Sequence, residues 1–346
     1  MTRYRAAVVG CGRMGSTIDD EVLGESSVLL PMSHAAGYTE SPHTELVAAC
    51  DTDEEKLRAF SKRWGVEALF SDVSQMMSDA APDLVSVATP TAPRCETTLQ
   101  VLAGGAKAII VEKPIAETLS DGDRMVRACA DARVPLAVNC SRRWDPRYFR
   151  VLELIEQGAI GEVRAIHALC PGGLSHMGSH LLDIVCFYAE SEVKWCVGHI
   201  DSHQAALADA DVSGCGYLVF ANGVRAFVNM VDAGATSVEL DVIGDSGRIR
   251  ILQNAREFEL WQRREDTRRP TLVRAPFPHP QRLQAPIMCA IEDLIECIET
   301  GGEPRCTGAD GRHALEVALA IRESERLGNA RVDLPLADRS LVMRSK

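Results

Sequence analysis

"AAVVGCGRMGSTIDDEVLGESS", residues Ala6–Ser27, places three glycines, Gly10, Gly12 and Gly15, directly after an apolar run. This is the pattern of a dinucleotide-binding loop. Glycines allow a tight turn there and let backbone N–H groups approach a pyrophosphate at a helix amino end. The downstream spacing does not fit at first. A ribose-binding acid is expected about 20 positions on, yet the first acid that ends a second apolar strand is Asp51, 36 positions after Gly15. An insertion accounts for the excess. "STIDDEVLGESSVLLP" (Ser16–Pro31) breaks what is otherwise one helix, because Gly24 and Pro31 both disfavour a helix interior. From Met32 the pattern resumes as "MSHAAGYTESPHTELVAACD". Without those 16 residues, Asp51 falls about 20 positions after Gly15, where the rule places it.

The loop opens an alternation of strands and helices. Apolar runs predict strands at Arg5–Val9, Leu46–Cys50, Leu84–Ala88, Ala108–Val111 and Leu136–Asn139. Between them, "DEEKLRAFSKRWG" reads as a helix capped at Asp53 and stopped at Gly65, and "PRCETTLQVLAGG" and "SDGDRMVRACADA" read as two more. Such alternation implies a parallel sheet covered on both faces, with ligands at the carboxyl ends of its strands. Past residue 150 the texture changes. "EVRAIHALC", "CGYLVFANGVRAFVNMV", "SVELDVIGDSGRIRIL" and "REFELWQ" read as strands, and Asn-Gly inside "FANGVRAF" marks a hairpin. Two closing helices are expected around Gln281–Glu299 and Gly308–Leu327. The second half therefore predicts a mostly antiparallel sheet with few helices.

Composition narrows the class. A chain of 346 residues suggests two domains, and 46% hydrophobic content supplies their cores. A net charge of −12 argues against a broad nucleic-acid surface. No window holds the ~20 apolar residues of a membrane span. The amino terminus shows no signal-peptide pattern, so a cytoplasmic location is expected. Twelve cysteines without CxxC pairs read as reduced, buried small residues.

"VATPTAPRCETTLQVLAGGAKAIIVEKP" (Val87–Pro114), taken with the glycine loop, resembles the Gfo/Idh/MocA oxidoreductases. "NCSRRWDP" (Asn139–Pro146), "GAIGEVRAI" (Gly158–Ile166), "GSHLLDIVCFY" (Gly178–Tyr188), "ANGVRAFV" and "LDVIGDSGRI" extend the resemblance over nearly the whole chain. It implies an α/β fold with an N-terminal Rossmann dinucleotide-binding domain over 1–140. A C-terminal α/β domain with an open, mostly antiparallel sheet then spans 141–346, its last helices packing back towards the first domain. It also implies a homodimer or homotetramer formed through that sheet.

The expected cofactor is NAD, held by Gly10, Cys11, Gly12, Arg13, Met14 and Gly15, by Asp51 on the ribose, and by Thr89, Pro90, Glu112, Lys113 and Arg142. Asp51 favours NAD over NADP, since it repels a 2′-phosphate and "DTDEE" offers no arginine to reverse that. Lys113 follows the Ala108–Val111 strand, and Pro114 biases it towards an extended conformation. Burial and nearby positive charge would bring its amine towards neutrality, as acid/base work on an alcohol or ketone requires. The resemblance implies that role for Lys113 and implies that His180 hydrogen-bonds the reacting hydroxyl. His176, His180 and Asp183 share one face if the segment is helical. His176 stands where the family commonly has Asp, so it either shares the relay or selects a substrate, or else merely contacts cofactor or solvent. HxxxH lacks a third ligand and HExxH is absent, so no metal is expected. Arg142 and Trp144 are expected either to line the substrate cleft, the tryptophan stacking on a sugar face, or to pack at a helix start, while Arg94 replaces a family histidine. Cys170, Pro171 and Gly172 replace polar residues that grip inositol, and specificity also rests on loops around Asp232. The expected activity is NAD-dependent hydride exchange with a polyol, sugar or sugar derivative. Glycoside cleavage through transient oxidation, and ligand sensing without catalysis, stay open.

Overall fold

The structure is a computed structural model that describes residues 3–231, 233, 237–264 and 271–345; Asp232 lies outside them. The chain forms two units, one of residues 1–145 with 284–312 and one of 146–283 with 313–346.

In the first unit, β1 (Tyr4–Val9) leads into a continuous helical run. This comprises a π-helical turn (Arg13–Thr17) and α1 (Ile18–Glu21), and α2 (His34–Glu40) follows after a loop. Then come β2 (Thr44–Cys50), α3 (Glu54–Trp64), β3 (Ala68–Phe70), α4 (Val73–Ala80), β4 (Leu84–Val87), α5 (Thr91–Ala103), β5 (Ala108–Val111), α6 (Leu119–Ala132) and β6 (Leu136–Val138). The six strands pair in parallel in the order β3-β2-β1-β4-β5-β6. The order reverses at β1, so β1 and β4 flank the switch point where such sheets bind ligands. Ala6, Ala7 and Val8 are wholly buried, as are all four residues of β4 and β5, which is why these strands read as unbroken apolar runs.

Helix ends follow local chemistry. The Asp53 carboxylate accepts from the N–H groups of Glu55 and Lys56, and Gly65 closes α3 in the left-handed region, φ 71°. The strand β3 and helix α4 are additions to the sequence expectation; β3 is a half-buried edge strand of three residues.

The second unit carries α7 (Pro146–Glu156), β7 (Val163–Pro171), α8 (Gly178–Ala189), β8 (Val193–Ile200), α9 (His203–Ala206), β9 (Gly214–Phe220), β10 (Arg225–Val231), β11 (Glu239–Gly244), β12 (Gly247–Leu252), β13 (Glu257–Arg264) and β14 (Thr271–Ala275). After α10 (Pro286–Thr300) of the first unit, α11 (Gly308–Arg326) is shared by both, and β15 (Val332–Asp333) ends the set. A nine-stranded sheet runs β14-β13-β12-β11-β7-β10-β9-β8-β15, antiparallel except where β10 lies parallel to β7. Asn222-Gly223 turns the β9–β10 hairpin, with Gly223 at φ 89°. Burial alternates along these strands, as in a sheet with one open face.

No helix among the described residues is long and apolar enough to cross a membrane. None of the twelve cysteines is in a disulfide.

Candidate active site

The glycine loop sits at the switch point of the first sheet. Gly10 ends β1 at φ 96°, and a β-carbon there would stand 2.7–2.8 Å from the backbone of Ala88 and Thr89. A β-carbon on Gly15 would lie within 1.9 Å of the Gly10 carbonyl oxygen. Both glycines are thus required by the turn itself. Gly12 differs: nothing lies within 4 Å of where its β-carbon would be, and it caps the helical run from Arg13 to Glu21. An open backbone position at a helix amino end is what a pyrophosphate needs. At the neighbouring strand end, Thr89 Oγ1 is buried with no hydrogen-bond partner among the described residues. A buried hydroxyl of this kind calls for a ligand or water. The residues present fit a dinucleotide.

Asp51 closes the loop from the side. Its Oδ2 accepts from the Cys11 N–H at 2.7 Å and its Oδ1 from the Asp53 N–H at 2.9 Å. The carboxylate at the end of β2 is therefore tied to the glycine loop although 40 positions separate the two in sequence. Each oxygen keeps a further lone pair for a hydroxyl. The inserted segment explains the spacing: α1 ends at Glu21 and α2 starts at His34, capped by Ser33. The start of the insertion is pinned to α3. Arg63 grips Asp20 through two bonds, at 2.5 and 2.9 Å, and the Trp64 indole N–H donates to Ser16 Oγ at 2.9 Å. Arg13 points outward and pairs with Glu21 at 2.6 Å.

Glu112 and Lys113 follow β5, and the Lys113–Pro114 peptide is cis. Arg94, buried on α5, donates to the carbonyls of Glu112, Pro114 and Thr89 and so clamps this loop to the end of β4. Burial lowers its pKa to about 10, which leaves it charged at neutral pH. Burial also lowers the Lys113 amine. Glu112 and then the Cys140 thiol oppose this shift, and Arg142 and Arg94 add to it.

Glu112 is among the residues expected to hold the cofactor; its side chain is 4% exposed and turned inward. Its Oε1 accepts from His34 Nε2 at 3.0 Å and from Asn139 Nδ2 at 2.7 Å, and its Oε2 from the Lys113 N–H at 3.3 Å. Burial pushes its carboxyl up, but the bond and charge of His34, with Lys113 and Asn139, hold it at about 2. Trp144 was expected either to stack on a sugar or to pack at a helix start. It is fully enclosed, its indole N–H donating to Asp293 on α10 at 2.9 Å. Sequence reading missed His34, Ser86 and Asn139. The one local signal was a histidine placed directly after a capping serine.

In the second unit, His180 and Asp183 lie on α8, with His180 half-buried and Asp183 buried. His176 does not share that helix. It lies in the turn before α8, because Asp211 accepts the Ser175 and His176 N–H groups at 2.7 and 2.8 Å and Gly178 bonds back to the Gly173 carbonyl. Cys170 is wholly buried at the end of β7, and Gly172 follows at φ 90°.

Comparison with known proteins agrees with this architecture. Residues 4–140 match the Gfo/Idh/MocA description "Oxidoreductase family, NAD-binding Rossmann fold", and residues 152–334 match its "C-terminal alpha/beta domain". The chain is 29% identical to a D-apiose dehydrogenase of Paraburkholderia graminis, across 94% of this chain and 88% of that one. It is 24% identical to a myo-inositol 2-dehydrogenase of Thermotoga maritima, across 92% and 96%. An oxidoreductase from Agrobacterium radiobacter, solved with NAD+, L-tartaric acid and magnesium, shares the fold with a TM-score of 0.79 at 21% identity, over 96% of this chain and 98% of that one. With both of its domains matched, the chain belongs to the Gfo/Idh/MocA oxidoreductase family.

Proposed function

We propose that the protein is an NAD-dependent dehydrogenase that interconverts a hydroxyl and a keto group of a polyol, sugar or sugar derivative. The observation that carries this reading is the Lys113 amine, shifted down by burial on a loop that Arg94 clamps to the end of β4. The glycine loop and Asp51 would hold the cofactor, with Thr89, Pro90 and Arg142 beside it. Bound there, NAD would supply the acceptor for a hydride from the carbinol carbon. Lys113 accepts the hydroxyl proton as the carbonyl forms, and its ammonium returns a proton when the reaction runs the other way. A lowered amine pKa suits proton transfer in both directions better than that of an exposed lysine does. His180 hydrogen-bonds the reacting hydroxyl, and His176 sets substrate orientation from its turn.

The names of the relatives direct the search for substrate to aldoses and cyclitols, including D-apiose and myo-inositol. The test is turnover of such a panel by wild type and by Lys113→Met, with NADH binding measured in parallel. The variant is expected to lose ~10²–10⁴ in kcat while binding NADH nearly as well. A variant that keeps wild-type kcat on the best substrate contradicts the assignment.

A further inference from the structure

We propose that His34 is a positioning residue for Lys113: it holds the Glu112 carboxylate in one place and so fixes the counter-charge against which the Lys113 amine gains and loses its proton. This rests on the acid/base reading of Lys113, and it concerns residues of the first unit alone.

His34 is the first residue of α2 and is wholly buried. Both ring nitrogens are engaged, Nε2 with Glu112 Oε1 at 3.0 Å and Nδ1 with Ser86 Oγ at 2.9 Å. Ser86 in turn donates to the Tyr38 hydroxyl at 2.9 Å. Tyr38 is 1% exposed, so the chain of bonds ends inside the unit. It offers a proton no exit and acts as a brace that sets the imidazole plane. Asn139, just past β6, shares Glu112 Oε1 with His34 at 2.7 Å. The carboxylate is thus fixed by groups from α2 and from the end of β6, and its other oxygen faces the backbone N–H of Lys113.

The charges around Lys113 give this brace a consequence. Glu112 and the Cys140 thiol favour its ammonium, whereas burial, Arg142 from the short 3₁₀ turn Ser141–Arg143 and Arg94 from α5 disfavour it. Glu112 is therefore the principal group that opposes the downward shift of the amine. Glu112 is itself opposed by burial, and His34 supplies the largest compensation. A buried Glu–Lys pair deprived of that donor relieves its charges by moving the proton from ammonium to carboxylate. Lys113 would then titrate at lower pH. A histidine that only filled space would leave that titration alone.

The test is competitive acetylation of the full chain with acetic anhydride over neutral and alkaline pH, with the Lys113 peptide quantified by mass spectrometry. Glu112→Gln is expected to lower the labelling midpoint by about one unit, and His34→Leu to lower it in the same direction. His34→Gln, whose amide reaches the Nε2 position, should restore it. If His34→Leu does not fold, Ser86→Ala, which releases the Nδ1 side of the ring, carries the same expectation at smaller size. A folded His34→Leu or Ser86→Ala with the wild-type midpoint overturns the proposal, as does a Glu112→Gln protein without a shift. The acid/base reading fails separately: Lys113→Met would then keep its turnover whatever the labelling shows.

Discussion

Gly10 and Gly12 stand two positions apart and meet different demands. Gly10 answers to the protein, through its left-handed backbone and the carbonyl of Ala88 pressed against it. Gly12 has open space beside it and answers only to what approaches from outside. Gly10→Ala is expected to lower stability by ~2 kcal/mol or more, through backbone strain and collision, read as a lower thermal midpoint. Gly12→Ala should melt like wild type yet bind NADH about tenfold more weakly, roughly 1.4 kcal/mol. An unfolded Gly12→Ala, or one with unimpaired binding, contradicts this division. Such single residues were legible in the sequence because their chemistry is local. His34 was not, since its partners Ser86 and Glu112 lie 52 and 78 positions away and meet it only across the sheet. Sequence left Trp144 open between stacking and packing for a related reason: nothing near it in sequence announces Asp293, to which its indole donates from inside the unit.

Helices were read well wherever their ends carry their own signals. Asp53 and Gly65 bound α3 where the sequence placed them. The turn holding His176 had no such signal, because the carboxylate that shapes it, Asp211, comes from outside the segment. The insertion is the element-scale feature that matters most. It delays α2 and so delivers His34 to the strand ends. Its return is held by Asp19, which accepts the Met32 N–H at 2.6 Å and the Ser33 N–H at 3.2 Å. Asp19→Ala leaves those two donors without their acceptor and should cost about 1 kcal/mol of stability. Thermal unfolding measures it, and an unchanged midpoint would mean that the Arg63–Asp20 and Trp64–Ser16 contacts alone hold the segment.

For the molecule as a whole, the period of the apolar pattern separated the two sheets correctly. Parallel strands buried on both faces read as continuous runs, and the open sheet reads as alternation. Strand β8 was passed over because Gly198 and His199 interrupt its pattern, and Gly198 is there because Ile321 of α11 leaves no room for a side chain. Substrate identity was not legible, since it depends on which side chains the fold gathers and not on any one motif. The central claim is that an interrupted glycine loop and a distant aspartate form one dinucleotide site. Fluorescence titration of the purified protein with NADH and with NADPH, after removal of any cofactor carried through purification, tests it most directly. Tight NADH binding and NADPH at least ~10-fold weaker is expected, because the Asp51 carboxylate repels a 2′-phosphate. Equal affinities, or a preference for NADPH, would contradict the role of Asp51, and failure to bind either would contradict the site itself.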